Sequence, residues 1–322
     1  MATREVRRKR SLLARMVAAV WGREQPALLD DPCASTWARE VKCYGELPEI
    51  YQPPFGKLLS HRAGPFPYTV VMPTFKGGSR RPQTERLVFK LGREIHVLVD
   101  SEGGLGAARY PIESIEFVER GSILLHAWIT ICGQDSEGEL RSTTLRFNAV
   151  TDHIMAPLIE AMRAPAACGS SADLAGERRR FDFLGASHFK FMSYAKASIR
   201  PGARVIQCAF QPERRSEWIR LFKISVSRLE SPAHLAILTD SELILIRDDA
   251  TQRWSKGPPH GAIWTYIPRR QITSTRLSSG SNGMQTLSLT LPAGSRIEVA
   301  FGPSQSRNLG EIAEALRSPG AS

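Results

Sequence analysis

The 322-residue sequence contains no CxxC pair. Its five cysteines, Cys33, Cys43, Cys132, Cys168 and Cys208, are odd in number and widely spaced. That excludes a zinc ribbon or a thioredoxin-type motif and fits a reducing cytoplasm. No run approaches the ~18 apolar residues that a membrane-spanning helix needs, so the chain is expected to be soluble or peripheral to a membrane. None of the seven histidines falls in an HxH, HxxxH or HExxH spacing, and no metal site is expected. Neither a GxSxG elbow nor a Walker A sequence occurs. Gly103–Gly104–Leu105–Gly106 joins two predicted strands and opens no helix, so it reads as a hairpin connection rather than a phosphate loop. The acidic pairs Asp30–Asp31 and Asp248–Asp249 are explained by turn chemistry. Without these motifs the chain reads as non-enzymatic and free of cofactor. A hydrolase or transferase site would have to combine His126 or His260 with an acid in a pocket.

What is present is charge and a repeat. The net charge is +11 and the pI about 9.8, a balance that favours anionic partners: phospholipid, an acidic protein or nucleic acid. Arg178–Arg179–Arg180–Phe181 mixes cations with an aromatic, but no nucleic-acid module is evident, and nucleic acid is the least favoured of the three. Residues 1–22 read as a basic amphipathic helix. Leu12, Leu13, Met16, Val17, Val20 and Trp21 form one stripe, and Arg7, Arg8, Lys9 and Arg10 precede it. Three readings compete: an export signal, disfavoured because Arg15 interrupts the apolar stretch and no small-residue cleavage site follows it; an interfacial membrane helix, with Trp21 at the acyl boundary and the basic residues on phosphates; or a helix docked on its own protein.

Three blocks recur in the same order. Arg93–Asp100 matches Ser241–Asp248 as strand and turn. Tyr110–Pro111–Ile112–Glu113–Ser114–Ile115 matches Ile267–Pro268–Arg269–Arg270–Gln271–Ile272. Ile159–Pro165 matches Ala313–Pro319 as the end of an amphipathic helix. In the first half, strands are predicted over 86–91, 94–99, 112–118, 123–131 and 140–147, followed by a helix over 152–162 with Pro157 near its first turn. In the second half, a helix over 187–199 precedes strands over 204–210, 235–238, 242–246, 263–267, 272–277, 284–291 and 296–301. A closing helix over 307–317 follows, capped by Ser304 or Ser306.

Short antiparallel strands followed by one C-terminal helix resemble the pleckstrin-homology (PH) superfold. The second half is closest to its bacterial PH-like type, through Leu235–Ile246, Ile267–Ile272 and Ile312–Leu316. The resemblance implies a mainly β (α+β) chain of two partly open antiparallel barrels, each closed by a C-terminal helix, with the N-terminal basic helix outside them. The division is then 1–50 extension, 51–163 first PH-like domain, 164–185 linker and 186–318 second PH-like domain. It also implies binding rather than catalysis. Lipid-binding members carry a basic cluster in the loop joining the first two strands, and the matching loops are read as Gly92–Arg93 and Thr239–Asp240–Ser241. The expected function is that of a cytoplasmic adaptor, with membrane association as an alternative, whose partner is an anionic lipid surface or a protein that adds a peptide strand. The candidate anion-binding residues are Arg7, Arg8, Lys9, Arg10, Trp21, Arg178, Arg179, Arg180, Arg269 and Arg270.

Overall fold

The structure is a computed structural model and describes residues 36–60, 64–74, 83–101, 104–164, 173–221, 224–249, 261–280 and 283–318. The expected helix over 1–22, with Arg7, Arg8, Lys9, Arg10 and Trp21, lies outside the described residues.

The fold is α+β and mainly β, and all strand pairs are antiparallel. Helix α1 (Gln52–Leu59) packs on a five-stranded sheet of β1 (Arg39–Val41), β2 (Thr69–Met72), β3 (Arg86–Leu91), β4 (Glu94–Ser101) and β5 (Gly104–Pro111). Then come β6 (Ile115–Ile123), β7 (His126–Gln134), β8 (Leu140–Asn148) and helix α2 (Asp152–Met162). Helices α3 (Leu174–Arg179) and α4 (Phe189–Ser198) lead into β9 (Val205–Gln211), the hairpin β10 (Arg214–Leu221) and β11 (Ile224–Ser231), β12 (His234–Thr239), β13 (Glu242–Arg247) and β14 (Ala262–Pro268). Strands β15 (Ser274–Ser279), β16 (Gln285–Thr290) and β17 (Arg296–Phe301) and helix α5 (Ser306–Arg317) close the chain.

Among the described residues no sheet closes into a barrel. The halves meet through their backbones instead. β14 pairs with β6, from Ala262 opposite Ser122 to Tyr266 opposite Val118, giving one seven-stranded sheet in the order β8-β7-β6-β14-β13-β12-β9. Each strand thereby gives the other the main-chain partners that an open edge lacks. The runs Leu235–Leu238 and Leu243–Ile246 are apolar at every position because this sheet is covered on both faces. Leu235, Ile237, Ile244 and Ile246 join a core shared with Val97, Ile129 and Phe147 of the first half. Ala236, Leu238, Leu243 and Leu245 enter a second core under β16, β17 and α5.

The repeated blocks take one local path. Pro111 (φ −55°, ψ 131°) and Pro268 (φ −57°, ψ 133°) each end a strand, and each starts a three-residue 3-10 turn, Ile112–Ser114 and Arg269–Gln271. The fixed proline φ sets the same exit in both places.

Several expectations need correction. The expected strand 112–118 begins only at Ile115, because the 3-10 turn takes its first three residues. The expected strand 123–131 is broken at Leu124–Leu125, where β6 turns back into β7. Pro157 lies in the second turn of α2, inside the helix. No serine side chain caps α5; the 3-10 turn Pro303–Gln305 leads into it. Residues 173–185, expected as linker, hold α3 and bury Phe181 and Leu184 in the shared core. The turns Gly92–Arg93 and Thr239–Asp240–Ser241 join the second and third strands of the sets β2-β3-β4-β5 and β9-β12-β13-β14. The first two strands of those sets are joined by residues 73–85 and by 212–233, which hold Lys76, Arg80 and Arg81, and Arg214, Arg215, Arg220, Lys223 and Arg228.

Candidate functional site

The arginines singled out by sequence do not converge. Arg178 donates to the Ile199 carbonyl at 3.3 Å, and Arg179 lies 3.4 Å from Asp173. Arg180 donates to the Val205 and Ile206 carbonyls and lies 3.6 Å from Glu177. Arg269 donates to the carbonyls of Asp240 (3.4 Å) and Ala315 (2.6 Å), and Arg270 to that of Ile112 (3.3 Å). Carbonyl oxygens and carboxylates thus engage these guanidinium groups, which tie α3 to β9 and the 3-10 turn after β14 to its surroundings.

A different place has the shape of a site. A groove of about 400 Å3 runs between β17 and the seven-stranded sheet. Five consecutive residues of β17, Arg296 to Ala300, form one wall. Phe117 of β6, Leu245 of β13 and Thr265 of β14 line the other side, and Pro232 and His234 stand at the start of β12. A wall of consecutive residues is a strand seen from its edge, since side chains of one face would recur at every second position. β17 is an outer strand of the sheet β15-β16-β17. Leu291 N–H bonds to the Ser295 carbonyl, so the next pair, Thr290 with Arg296, is of the non-hydrogen-bonded kind. By alternation, the N–H and C=O groups of Arg296, Glu298 and Ala300 point away from β16, toward the groove side. The Ile297 and Val299 side chains pack on the second core, while those of Arg296 and Glu298 are exposed.

The groove crosses the seam between the halves. Glu119 of β6 accepts a charge-assisted bond from Arg247 of β13 at 2.8 Å, and the Trp128 indole N–H reaches Glu119 at 3.3 Å. His234 is buried; its Nδ1 lies 2.9 Å from the Pro232 carbonyl, so that nitrogen carries the proton. Burial holds the His234 imidazole below its ordinary value of 6.5, the Pro232 and Ala300 backbones oppose this, and Arg247 adds to it. His126 is lowered as well, by burial and then by Arg146. The unfolded chain therefore takes up protons that the folded chain refuses, and stability falls as pH drops below about 6.5 toward the folded-state values. Urea unfolding at pH 7.5 and 5.5 is expected to give a lower midpoint at the acid pH, and His234→Gln should flatten that difference. An equal drop in the variant would remove His234 from the explanation.

Among the described residues no group of three His, Cys, Asp or Glu side chains is placed to hold a metal ion. No helix of the described residues is long and apolar enough to cross a membrane. Cys43, Cys132 and Cys208 are free thiols. No protein-family model and no curated protein matches this chain. The groove was invisible in the sequence because its walls come from residues 117–119, 231–247, 265 and 296–300. The one local hint was the alternation of Arg296–Phe301, which marks a half-buried strand but not an edge.

Proposed function

We propose that this chain is a non-enzymatic, cytoplasmic binding protein built from two PH-like units, and that its second unit takes an extended peptide along the edge of β17 that is unpaired among the described residues. The unit reading rests on strand order. Each half has four antiparallel strands (β2-β3-β4-β5; β9-β12-β13-β14), then three (β6-β7-β8; β15-β16-β17), then one helix. The peptide reading rests on one observation: the groove follows five consecutive residues of an edge strand. An added strand would complete the main-chain hydrogen bonds of Arg296 and Glu298 and of the Ala300 N–H, the Ala300 carbonyl facing His234, and alternate peptide side chains would meet Phe117 and Leu245. The ion pair Glu119–Arg247 lines the same groove and offers a charged contact.

Selection of displayed random peptides on the full-length protein tests this. Glu298→Pro removes one outward N–H at an edge position where proline is tolerated, and Glu298→Ala keeps it. A selected peptide should bind the wild type and the alanine variant alike and lose about ten-fold or more in affinity to the proline variant, one charge-independent hydrogen bond and its neighbours being disrupted. Equal binding to all three proteins would reject the reading.

A further inference from the structure

Two residues of the groove wall, Arg296 and Glu298, turn both their main-chain groups and their charges outward. Their side chains are 58% and 53% exposed, with Arg296 Nε 3.2 Å from Glu298 Oε1. Ser288 Oγ of β16 donates to the same Glu298 oxygen at 3.1 Å. An ion pair this exposed contributes little, so neither charge is committed to the other. On an added antiparallel strand, the residue opposite each of them carries its side chain on the same face, with the Cα atoms about 5.5 Å apart in a hydrogen-bonded pair. Opposite charges attract across such a pair and like charges repel. The edge therefore selects a charge at two defined peptide positions.

Direction follows from pairing energetics and from the closed end of the edge. Antiparallel pairing is the more stable kind per residue, and β17 already pairs that way with β16. An antiparallel peptide meets Ala300 first, then Glu298, then Arg296. Ala300 offers only its N–H, because its carbonyl faces His234. The peptide residue opposite needs no N–H of its own, and as the first residue of a strand it can be proline. The residues opposite Glu298 and Arg296 use both of their main-chain groups. The side chains in the intervening positions point, like Ile297 and Val299, toward the seven-stranded sheet. Phe117 and Leu245 meet them there, and Glu119 and Arg247 answer each other at 2.8 Å across Thr265. That floor favours apolar side chains and leaves no single charge to be matched.

We propose, resting on strand addition at β17, that the occupant is an antiparallel peptide of the order apolar–basic–apolar–acidic. Its lysine or arginine stands opposite Glu298, and its aspartate or glutamate stands opposite Arg296. The segment Arg296–Ile297–Glu298 has the same basic–apolar–acidic order, but a second copy of the chain does not fit. Antiparallel neighbours in one sheet turn matching faces the same way. The copy would bring its own seven-stranded sheet beneath its β17, into the space where Glu119 and Arg247 of the first copy stand. A single peptide strand has nothing beneath it and clears that floor.

The test is selection of displayed random peptides on the full-length wild type and, separately, on Arg296→Glu combined with Glu298→Arg. Both side chains are exposed and the main chain is unchanged, so the variant should keep its Tm. Wild type is expected to select basic–apolar–acidic peptides, and the variant acidic–apolar–basic ones. A wild-type peptide should lose about ten-fold in affinity to the variant and regain it when its own two charges are exchanged, two pairs passing from attraction to repulsion and back. Proline two residues before the basic position should be tolerated, and proline at the basic position should not. Peptides that Glu298→Pro weakens, but that show no charge order or the same order on both proteins, overturn the proposal and leave strand addition standing. The acidic–apolar–basic order on wild type would mean a parallel peptide and also overturns it. Failure to select any peptide, or peptides indifferent to Glu298→Pro, overturns strand addition and this proposal with it. A wild-type dimer dispersed by Glu298→Pro would make a second copy the occupant and overturn it as well.

Discussion

Glu242→Ala is expected to destabilise the folded chain by about 3–5 kcal/mol, the range for removing one partner of a buried ion pair. The Arg163 side chain is 3% exposed and that of Glu242 1%. Arg163 Nη2 lies 2.6 Å from Glu242 Oε1 and donates to the Ser198 carbonyl at 2.9 Å, and its guanidinium lies 4.1 Å over the Tyr266 ring. Glu160 approaches Arg163 at 3.0 Å, and Arg200 lies 3.5 Å from Glu242 and 3.4 Å from Glu160. Two arginines and two glutamates thus tie the ends of α2 and α4 to the start of β13. Without Glu242 the Arg163 charge stays buried with only the half-exposed Glu160 to answer it. Arg163→Met combined with Glu242→Leu removes both buried charges and should cost far less than Glu242→Ala alone, since an apolar replacement of a buried pair is often close to neutral. Urea titrations of the three proteins decide it. A loss below about 1 kcal/mol for Glu242→Ala would mean that this cluster does not join the halves.

Gly261→Ala should act on the seam itself. Gly261 has φ +84°, and a Cβ there would fall 2.8 Å from Ile123 Cα and collide with the Ser122 carbonyl, both backbone atoms of β6. Neither can rotate away, so the first rung of the β6–β14 pairing has to open. Positive φ in a non-glycine residue accounts for about 1 kcal/mol, and the backbone collision should bring the total to 3 kcal/mol or more. Gly138→Ala separates the two effects, because Gly138 has φ +83° with open space around it. Its expected loss is about 1 kcal/mol. Thermal melts of both variants measure this, and equal losses would show that the seam yields to the added methyl.

The strands of the second half were legible because burial on two faces writes itself as unbroken apolar runs, as in Leu235–Leu238 and Leu243–Ile246. The helices over 152–162 and 307–317 were legible from periodicity, and the structure gives Asp152–Met162 and Ser306–Arg317. The turn at Leu124–Leu125 was not, since Ile123 to Ile131 carries no glycine, asparagine or proline to punctuate it. Its departure from turn chemistry is the reason it escapes a sequence reading. The run Arg178–Arg180 suggested an anion site, yet its chemistry depends on where the carbonyls of Ile199, Val205 and Ile206 fall, which local sequence does not encode. The pairing of β6 with β14 lies equally beyond local pattern, because any half-buried strand of suitable length could have taken that edge.

Amide hydrogen exchange along β17, followed residue by residue with and without a selected peptide, is the most direct test of the binding account. In the free protein the Ile297 and Val299 amides, turned toward β16, should already be protected, while those of Glu298 and Ala300 should exchange freely. With peptide bound, new protection should appear at Glu298 and Ala300. Protection gained at another sheet edge, or none on β17 at saturation, would contradict strand addition in this groove.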